Sequence, residues 1–234
     1  MKLNIPSDGT KIGHDGERLV VPDNPIIPYI IGDGIGIDVT PVMKRVLDYA
    51  VNKAYGNTRE IKWLELYAGS NSKELYGSIL PDETIEAMKE YRISIKGPLT
   101  TPIGKGHKSI NVQIRQKLDL FACVRPIKYF PGTSTPMAES GLTDMVVFRE
   151  NTEDLYTGIE WKPGSEGAKK IINFIKKELG ESPFRFEENC GIGIKPVSKD
   201  GSQRLINMAI EFALNEKRDT LTIVHKGNIM KYTE

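Results

Sequence analysis

The stretch NPIIPYIIGDGIGIDVTPVMKRVLDYAVNKAYG, residues 24–56, decides the fold class. Its apolar beginning, residues 24–31, predicts a strand, and the glycines of GDGIG predict a tight turn. Apolar residues then recur every three or four positions, which predicts a helix that ends at Gly56. Thr40 and Pro41 suit the N-cap and the first position of that helix. A strand, a turn and a helix in this order indicate an α/β protein.

The alternation of strands and helices continues along the chain. Strands are predicted at 61–67, 92–96, 121–126 and 143–151, and helices at 81–91, 109–119, 164–180 and 198–217. This order favours a mostly parallel sheet with helices on both faces. Residues 183–198 resemble strands with no helix between them, which predicts an antiparallel arm, and residues 219–228 predict one more strand.

The composition is that of an ordinary globular protein. The 234 residues include 32 basic and 31 acidic side chains, so the overall charge predicts no nucleic-acid partner. No apolar run approaches the roughly 18 residues of a membrane span, and the first residues lack the apolar run of a signal peptide. Cys123 and Cys190 lie far apart in apolar surroundings, which favours free thiols and a cytoplasmic location.

Three arginines lie in or near one short part of the chain. In a helix over 109–119, Asn111 and Arg115 share one face, and Ser109 stands at the helix N-terminus, where anions are favoured. Arg125 and Arg149 follow apolar runs and are expected at strand C-termini, where α/β sheets bind ligands. Arginine binds carboxylates with two parallel hydrogen bonds, so the set indicates a small polycarboxylate. The alternative is that each arginine is a solvated surface residue.

Other polar residues allow more than one interpretation. GDGIG resembles the dinucleotide fingerprint G-x-G-x-x-G, but its third glycine comes one position early, and a structural turn explains it equally well. Tyr156 follows Arg149 closely and could act as an acid, or it could be half-buried at a domain edge. Lys226 ends an apolar run and could act as a base, or it could lie on the surface. No spacing predicts a metal site.

Seven strings occur in an order typical of one family. They are NPIIPYIIGDGIG, IKGPLTTP, SINVQIRQ, VRP, MVVFRENTEDLYTGIEW, CGIGIKP and VHKGNIMKYTE. Together they resemble the bacterial NADP-dependent branch of the isocitrate/isopropylmalate dehydrogenase family. The resemblance implies that family's α/β fold, which is not a Rossmann fold, with a small domain and a clasp insert. It also implies that GDGIG lies near the nicotinamide end of the cofactor site.

The resemblance assigns roles to residues of this chain. Its substrate-binding positions are Ser109, Asn111, Arg115, Arg125 and Arg149. Its catalytic positions are Tyr156, as an acid, and Lys226, which acts in the neighbouring subunit, and its cofactor positions are Thr100 and Asn228. The implied oxidoreductase reaction, a step of the tricarboxylic acid cycle, is oxidative decarboxylation of isocitrate to 2-oxoglutarate with NADP. Some members are phosphoproteins, so Ser109 is also a predicted site for a regulatory kinase and phosphatase.

The resemblance also predicts the domain organisation. Residues 1–123 are expected to begin a large domain, 124–155 and 199–234 to form an incomplete small domain, and 156–198 to form a clasp that joins a homodimer. The family's chain continues past Glu234, and its ligands for magnesium or manganese lie in that part, with none predicted here. The chain is therefore expected to be a truncated N-terminal portion and inactive alone. The alternative is a carboxylate-binding dimeric module without catalysis.

Overall fold

A computed structural model describes residues 3–100 and 109–233. The chain forms two compact units, Met1–Leu118 and Asp119–Glu234, and each has its own secondary structure. The first predicted domain boundary, at residue 123, lies near this division. The assignment of large domain, small domain and clasp stays a prediction.

The first unit is an α/β layer. Its strands are β1 (Gly13–His14), β2 (Leu19–Val20), β3 (Ile26–Ile30), β4 (Lys62–Leu66) and β5 (Ile95–Lys96). Its helices are α1 (Gly36–Tyr55), α2 (Ser70–Tyr76), α3 (Asp82–Tyr91) and α4 (Ile110–Lys117). β3, β4 and β5 form a parallel sheet in the order β4-β3-β5, which confirms the predicted α/β class. Helix α2 was not predicted from the sequence.

A proline lies in the central strand of this sheet. Pro28 is fully buried in β3 and opposite Leu64 of β4. The carbonyl of Ile30 accepts from the N–H of Gly97, so the backbone groups of Ile30 point away from β4. Pro28 is two residues earlier and therefore faces the same side, where the pairing with β5 begins only at Tyr29. The missing N–H of the proline thus removes no bond to β4.

The core of the first unit confirms two predicted helices. In α4, Ile110 and Ile114 are each 3% exposed and Leu118 packs against the same core, as their spacing predicted. In α3, Tyr91 is 1% exposed. Since α4 carries three of the predicted site residues, its buried stripe fixes the direction in which they point.

Helix α1 begins earlier than the sequence predicted. It starts at Gly36, so Thr40 and Pro41 lie inside it, and the prediction of Thr40 as its N-cap is wrong. Thr40 is instead buried, and its hydroxyl donates to the carbonyl of Ile31 at 2.8 Å, which ties the helix to the GDGIG turn. Gly56 ends the helix with a φ of 60°, as predicted.

The described residues of the second unit form four strands and two α-helices, besides short 3-10 helices. Its elements are β6 (Ala122–Lys128), β7 (Asp144–Glu150), β8 (Ile159–Trp161), α5 (Glu166–Lys177), β9 (Ile192–Ile194) and α6 (Lys199–Asn215). The hydroxyls of Ser165 and Ser198 cap α5 and α6 by accepting the backbone N–H groups of Ala168 and Gly201. Phe148 of β7 packs on Phe212 of α6, with ring centroids 5.3 Å apart.

The strand pair β6–β7 corrects the expectation of parallel strands. The two strands are antiparallel, with Arg125 opposite Val147 and Cys123 opposite Arg149. Arg149 stands next to the end of β7 as predicted, but Arg125 lies in the middle of β6. The connection 129–143 contains only the short 3-10 helix Ser140–Leu142, and parallel pairing needs a longer crossover.

Two further predictions in the second unit have different outcomes. β8 and β9 pair antiparallel, with Trp161 opposite Ile192, so the predicted arm is antiparallel. Within 183–198, however, only Ile192–Ile194 is a strand, its partner β8 precedes this range, and Glu187–Asn189 is a 3-10 helix. Residues 219–228 were predicted to form a strand and do not; Val224 there is 88% exposed. A strand needs a neighbouring strand for its N–H and C=O groups, and no described strand pairs with this segment.

No helix in the described part of the chain combines the length and the apolar character that crossing a bilayer requires.

Candidate functional site

Helix α4 and its N-cap carry the three predicted residues: Ser109 is the N-cap, Asn111 lies in the first turn and Arg115 in the last turn. The carbonyl of Ser109 accepts the N–H of Gln113 at 3.0 Å. Asn111 and Arg115 are both half-buried and follow one another by four residues on a single face. The N-terminal N–H groups of a helix favour an anion. The structure therefore places one polar side chain, one amide and one guanidinium along the same part of the first unit.

The amide of Asn111 is a buried polar group that the protein leaves incompletely satisfied. Its Oδ1 has no hydrogen-bond partner among the described residues. An unsatisfied buried polar atom costs about 1–3 kcal/mol. The amide can offer its oxygen to a hydroxyl, or turn over and offer its NH₂ to a carboxylate. A ligand that carries both groups would satisfy it in either orientation.

Lys96 is a cation near Arg115 that the sequence analysis did not single out. Partial burial, and then the charge of Arg115, lower the pKa of Lys96 although its side chain retains an exposed surface. Its Nζ donates to the carbonyl of Gly97 at 2.7 Å. Two neighbouring cations repel one another, and an anion that binds between them offsets this repulsion and stabilises both charged forms. The signal in the sequence was the lysine that ends the predicted strand 92–96 and opens KGPLTTP.

Thr100 follows this lysine on a loop attached to the GDGIG turn. The side chain of Thr100 is exposed, while its N–H donates to Oδ2 of Asp33 at 2.8 Å. Asp33 itself is only 9% exposed. The predicted cofactor residue is thus held through its backbone, and its hydroxyl side remains accessible.

In the second unit, Arg125 and Arg149 lie on one face of the β6–β7 pair. Directly opposite residues of an antiparallel pair point to the same face, as do residues two apart in one strand. The register therefore puts Cys123, Arg125, Val147 and Arg149 together, with the two arginines as diagonal neighbours. Such diagonal positions are about 7–8 Å apart, within reach of long side chains. Phe148 points to the other face, where α6 packs.

Tyr156 belongs to the same cluster as the arginines. The guanidinium carbon of Arg149 stands 4.5 Å from the centroid of the Tyr156 ring. A guanidinium over an aromatic face is a favourable cation–π contact. Tyr156 lies in the 3-10 helix Asp154–Thr157, just after the end of β7. The structure thus places Arg125 and Arg149 on one face of the strand pair and the ring of Tyr156 against Arg149.

A hydrogen-bonded corner supports the end of β7 beside Arg149. Oε1 of Glu150 accepts the N–H and the hydroxyl of Thr152 at 2.7 and 2.8 Å, and the N–H of Glu153 at 3.1 Å. Arg204 of α6 donates to the Thr152 hydroxyl and to Asp119, each at 2.9 Å. These bonds connect the chain after β7 to α6 and to Asp119.

We expect Glu150 to stabilise the fold at neutral pH and to lose this effect in acid. Burial alone raises the pKa of Glu150, but the bonds from Thr152 and Glu153 outweigh it and hold that pKa below the ordinary value of 4.5. A lowered pKa stabilises the fold above the unfolded-state pKa, and this contribution is lost as the pH falls through the folded-state pKa. Glu150→Gln keeps one acceptor oxygen without charge, so at pH 6 we expect it to cost roughly 1 kcal/mol.

The difference between wild type and Glu150→Gln should shrink as the pH falls below 4.5, which urea unfolding at several pH values measures. Glu211→Gln, which removes an exposed carboxylate from α6, is the control and should show a much smaller change. A difference for Glu150→Gln that stays constant down to acid pH would contradict the interpretation.

Lys226 and Asn228 lie in the irregular C-terminal segment. Both side chains are exposed, and the carbonyl of Asn228 accepts from Nζ of Lys231 at 3.1 Å. The resemblance predicts that Lys226 acts in a second subunit. Its role and that of Asn228 therefore stay predictions.

The comparisons with known proteins agree with one another. The family model described as isocitrate/isopropylmalate dehydrogenase matches residues 26–234. The chain is 57% identical over its whole length to isocitrate dehydrogenase [NADP] 1 of Colwellia maris and spans 57% of that protein. It is 52% identical to isocitrate dehydrogenase [NADP] of Pseudomonas aeruginosa (strain UCBPP-PA14) and spans 56% of it.

A solved structure is also similar. The crystal structure of isocitrate dehydrogenase from Methylococcus capsulatus superposes with a TM-score of 0.69 at 35% identity, covering 89% of this chain and 53% of that one. The chain therefore spans somewhat more than half the length of the curated relatives and of the structure that it matches.

Proposed function

The chain belongs to the isocitrate/isopropylmalate dehydrogenase family, and we propose that its full-length form oxidatively decarboxylates isocitrate with NADP as the hydride acceptor. The observation that carries the proposal is the cluster of Arg125 and Arg149 on one strand face, with the Tyr156 ring against the second guanidinium. Guanidinium pairs bind carboxylates, and a phenol beside them is a suitable proton donor. The names of the relatives support the same activity.

The polar side chains of α4 favour isocitrate over isopropylmalate. An isopropylmalate site needs an apolar surface for a branched alkyl group. Such a group would leave the buried amide oxygen of Asn111, which has no partner among the described residues, unpaired at a cost of about 1–3 kcal/mol. A third carboxylate or a hydroxyl satisfies the amide instead.

Different residues of this chain bind the substrate and transfer its protons. Arg115, Arg125 and Arg149 hold the carboxylates and orient the substrate, which is mainly positioning and electrostatics. Lys226 of a second copy of the chain accepts the proton of the C2 hydroxyl. NADP, when bound, would supply the hydride acceptor, and Thr100 and Asn228 are the residues of this chain that would contact it. After CO₂ leaves, Tyr156 donates a proton to the carbon that carried it, and 2-oxoglutarate results.

Magnesium or manganese is implied by the family but not by the geometry of this chain. Among residues 3–100 and 109–233, no three or more His, Cys, Asp or Glu side chains are placed to hold a metal ion. The described residues therefore do not fit the metal, and no step is derived through it. We expect its ligands in the part of the full-length protein that follows residue 234.

The proposal includes a homodimer and a cytoplasmic location. The β8–β9 arm with α5 lies within residues 156–198 and is the proposed clasp of a homodimer. A neighbouring copy is required because Lys226 is proposed to act there. The cytoplasm, with its reducing conditions, suits the two free cysteines Cys123 and Cys190.

Reduction of NADP in the presence of isocitrate and Mn²⁺ tests the activity. It should be measured on the 234-residue chain and on the chain extended to the full length of its relatives. We expect turnover only in the extended form. Isocitrate binding without turnover in both forms would favour the alternative, a carboxylate-binding dimeric module, which rests on the absence of a metal cluster among the described residues.

A charged residue at the α4 N-cap tests the anion site. Ser109→Asp retains a good N-cap, so α4 should remain stable, but its carboxylate repels a carboxylate of the substrate as a phosphate would. We expect the KM for isocitrate to rise about 10- to 100-fold, since a like charge in a partly buried site costs on the order of 1.4–2.8 kcal/mol. Ser109→Ala should raise it less.

Steady-state kinetics and thermal unfolding of both Ser109 variants measure this. An unchanged KM in Ser109→Asp would show that the α4 N-terminus binds no carboxylate. Incorporation of phosphate into the wild type by a cell extract, lost in Ser109→Ala, would support regulation at this residue.

A further inference from the structure

The carboxylate of Asp33, in the GDGIG turn, bridges two distant parts of the first unit. Its Oδ1 accepts the N–H of Ser70 and its Oδ2 accepts the N–H of Thr100, both at 2.8 Å. Asp33 is 9% exposed, so both bonds lie largely out of water. Hydrogen bonds to an ionised acceptor are stronger than those between neutral groups. One side chain therefore connects the first residue of α2 with the loop that carries the predicted cofactor residue.

The backbone of the turn holds the same loop from a second direction. The N–H of Asp33 donates to the carbonyl of Pro98 at 2.6 Å. A Cβ at Gly32 would come within 2.3 Å of that carbonyl, and one at Gly97 within 1.9 Å of the carbonyl of Ile31. The turn and the loop are thus in direct backbone contact, which only glycine allows at these two positions.

A third glycine encloses the carboxylate itself. Gly69 has a φ of 84°, and a Cβ there would lie 2.5–2.6 Å from the two carboxylate oxygens of Asp33. The carboxylate therefore lies against bare backbone. Leu99, between the two anchored residues Pro98 and Thr100, is buried in the core at 9% exposure. The loop is fixed from one side by packing and from the other by Asp33.

We propose that Asp33 is a positioning residue for the cofactor site, because it fixes the backbone of Thr100 while leaving the threonine side chain accessible. The inference rests on the proposed function, in which Thr100 contacts NADP. It gives GDGIG a role other than direct pyrophosphate binding: the glycines permit close approach, and the aspartate holds the loop that meets the cofactor.

Replacement of Asp33 by asparagine removes the negative charge and keeps the shape of the side chain. The asparagine side chain has nearly the same size, but one of its two terminal atoms is a donor. Either Ser70 or Thr100 then loses its acceptor, and the remaining bond is no longer charge-assisted. Asp33→Ala removes both acceptors. If the loop moves by about 1 Å, binding and turnover that depend on it can fall about 100-fold.

The experiment compares these variants in the full-length protein with a matched control. Thr84→Val removes another buried hydrogen bond of the first unit, in which the Thr84 hydroxyl donates to the carbonyl of Tyr67 at 2.7 Å. We expect Asp33→Asn to raise the KM for NADP about 10- to 100-fold, with the KM for isocitrate within about threefold of wild type. Thr84→Val should lower thermal stability and leave both KM values unchanged.

Amide hydrogen exchange gives a readout that does not need activity. The N–H of Thr100 should be strongly protected in the wild type and should lose protection in Asp33→Asn, since its acceptor is weakened. An unprotected Thr100 amide in the wild type overturns the proposal, and this measurement remains decisive if Asp33→Asn fails to fold.

The two KM values distinguish a positioning role of Asp33 from a purely structural one. Equal increases in the two KM values, or a loss of stability with neither KM changed, would make Asp33 merely structural and overturn the proposal. A wild type that reduces no NADP with isocitrate would instead overturn the proposed function, while amide exchange at Thr100 would still decide whether Asp33 positions the loop.

Discussion

We expect Tyr156→Phe to lower the kcat of the proposed full-length enzyme by about 10²- to 10⁴-fold, the usual contribution of a positioned general acid. The phenylalanine ring can still lie under Arg149, whose guanidinium carbon is 4.5 Å from the tyrosine ring centroid. Substrate binding by the arginines is therefore preserved. The expected signature is a large loss in kcat with a KM for isocitrate close to that of the wild type.

Tyr129→Phe is the matched control for this variant. Tyr129 is also half-buried in the second unit, just after β6, but it is not part of the Arg125, Arg149 and Tyr156 cluster. Its kcat should match that of the wild type. A Tyr156→Phe enzyme with nearly full kcat would show that another group supplies the proton, and the proposed acid role would be abandoned.

Arg149→Met is expected to have the second large effect. It removes a carboxylate-binding fork and the cation that stacks on Tyr156, while retaining much of the side-chain volume. Loss of one member of a buried charge pair costs about 2–5 kcal/mol. Such a cost corresponds to a fall of roughly 30- to 5,000-fold in kcat/KM. Both kcat and KM should change, since the residue orients the acid and binds the substrate.

Lys128→Met provides the control for Arg149→Met. Lys128 is a cation of the same strand pair, but it lies opposite Asp144 at the far end, with 65% of its side chain exposed. Its replacement should change kcat/KM less than about threefold, because a distant exposed charge is screened by salt. Steady-state kinetics at two ionic strengths measure both variants. Comparable losses in the two would show that general positive charge, and not the specific fork, binds the substrate.

Periodicity in the sequence predicted most of the elements because each depends on neighbours along the chain. In α4, the spacing of Ile110 and Ile114 predicted a buried stripe, and the same spacing set the face of Asn111 and Arg115. The Gly56 terminus of α1 followed from a local need for positive φ. Lys96 was missed because its interaction with Arg115 joins residues far apart in sequence.

The pairing of strands could not be predicted in the same way. Arg125 and Arg149 were expected at the ends of parallel strands, whereas they share one face of an antiparallel pair. Apolar runs indicate that a strand exists but contain no information about its partner or direction. The expected strand at 219–228 shows the same limit, because a strand requires a partner that the local pattern does not supply.

The order of the amino acids alone was enough to predict the α/β class, the α4 stripe and the set of polar residues worth testing, since helical and strand periods are local properties. Three-dimensional packing was needed to show that Arg149 stacks on Tyr156 and that Asp33 holds the backbone of Thr100. The physical reason is that the first contact joins residues 7 positions apart and the second joins residues 67 positions apart. These contacts depend on backbone register and on the close backbone approach that glycine allows, and no local sequence pattern encodes either.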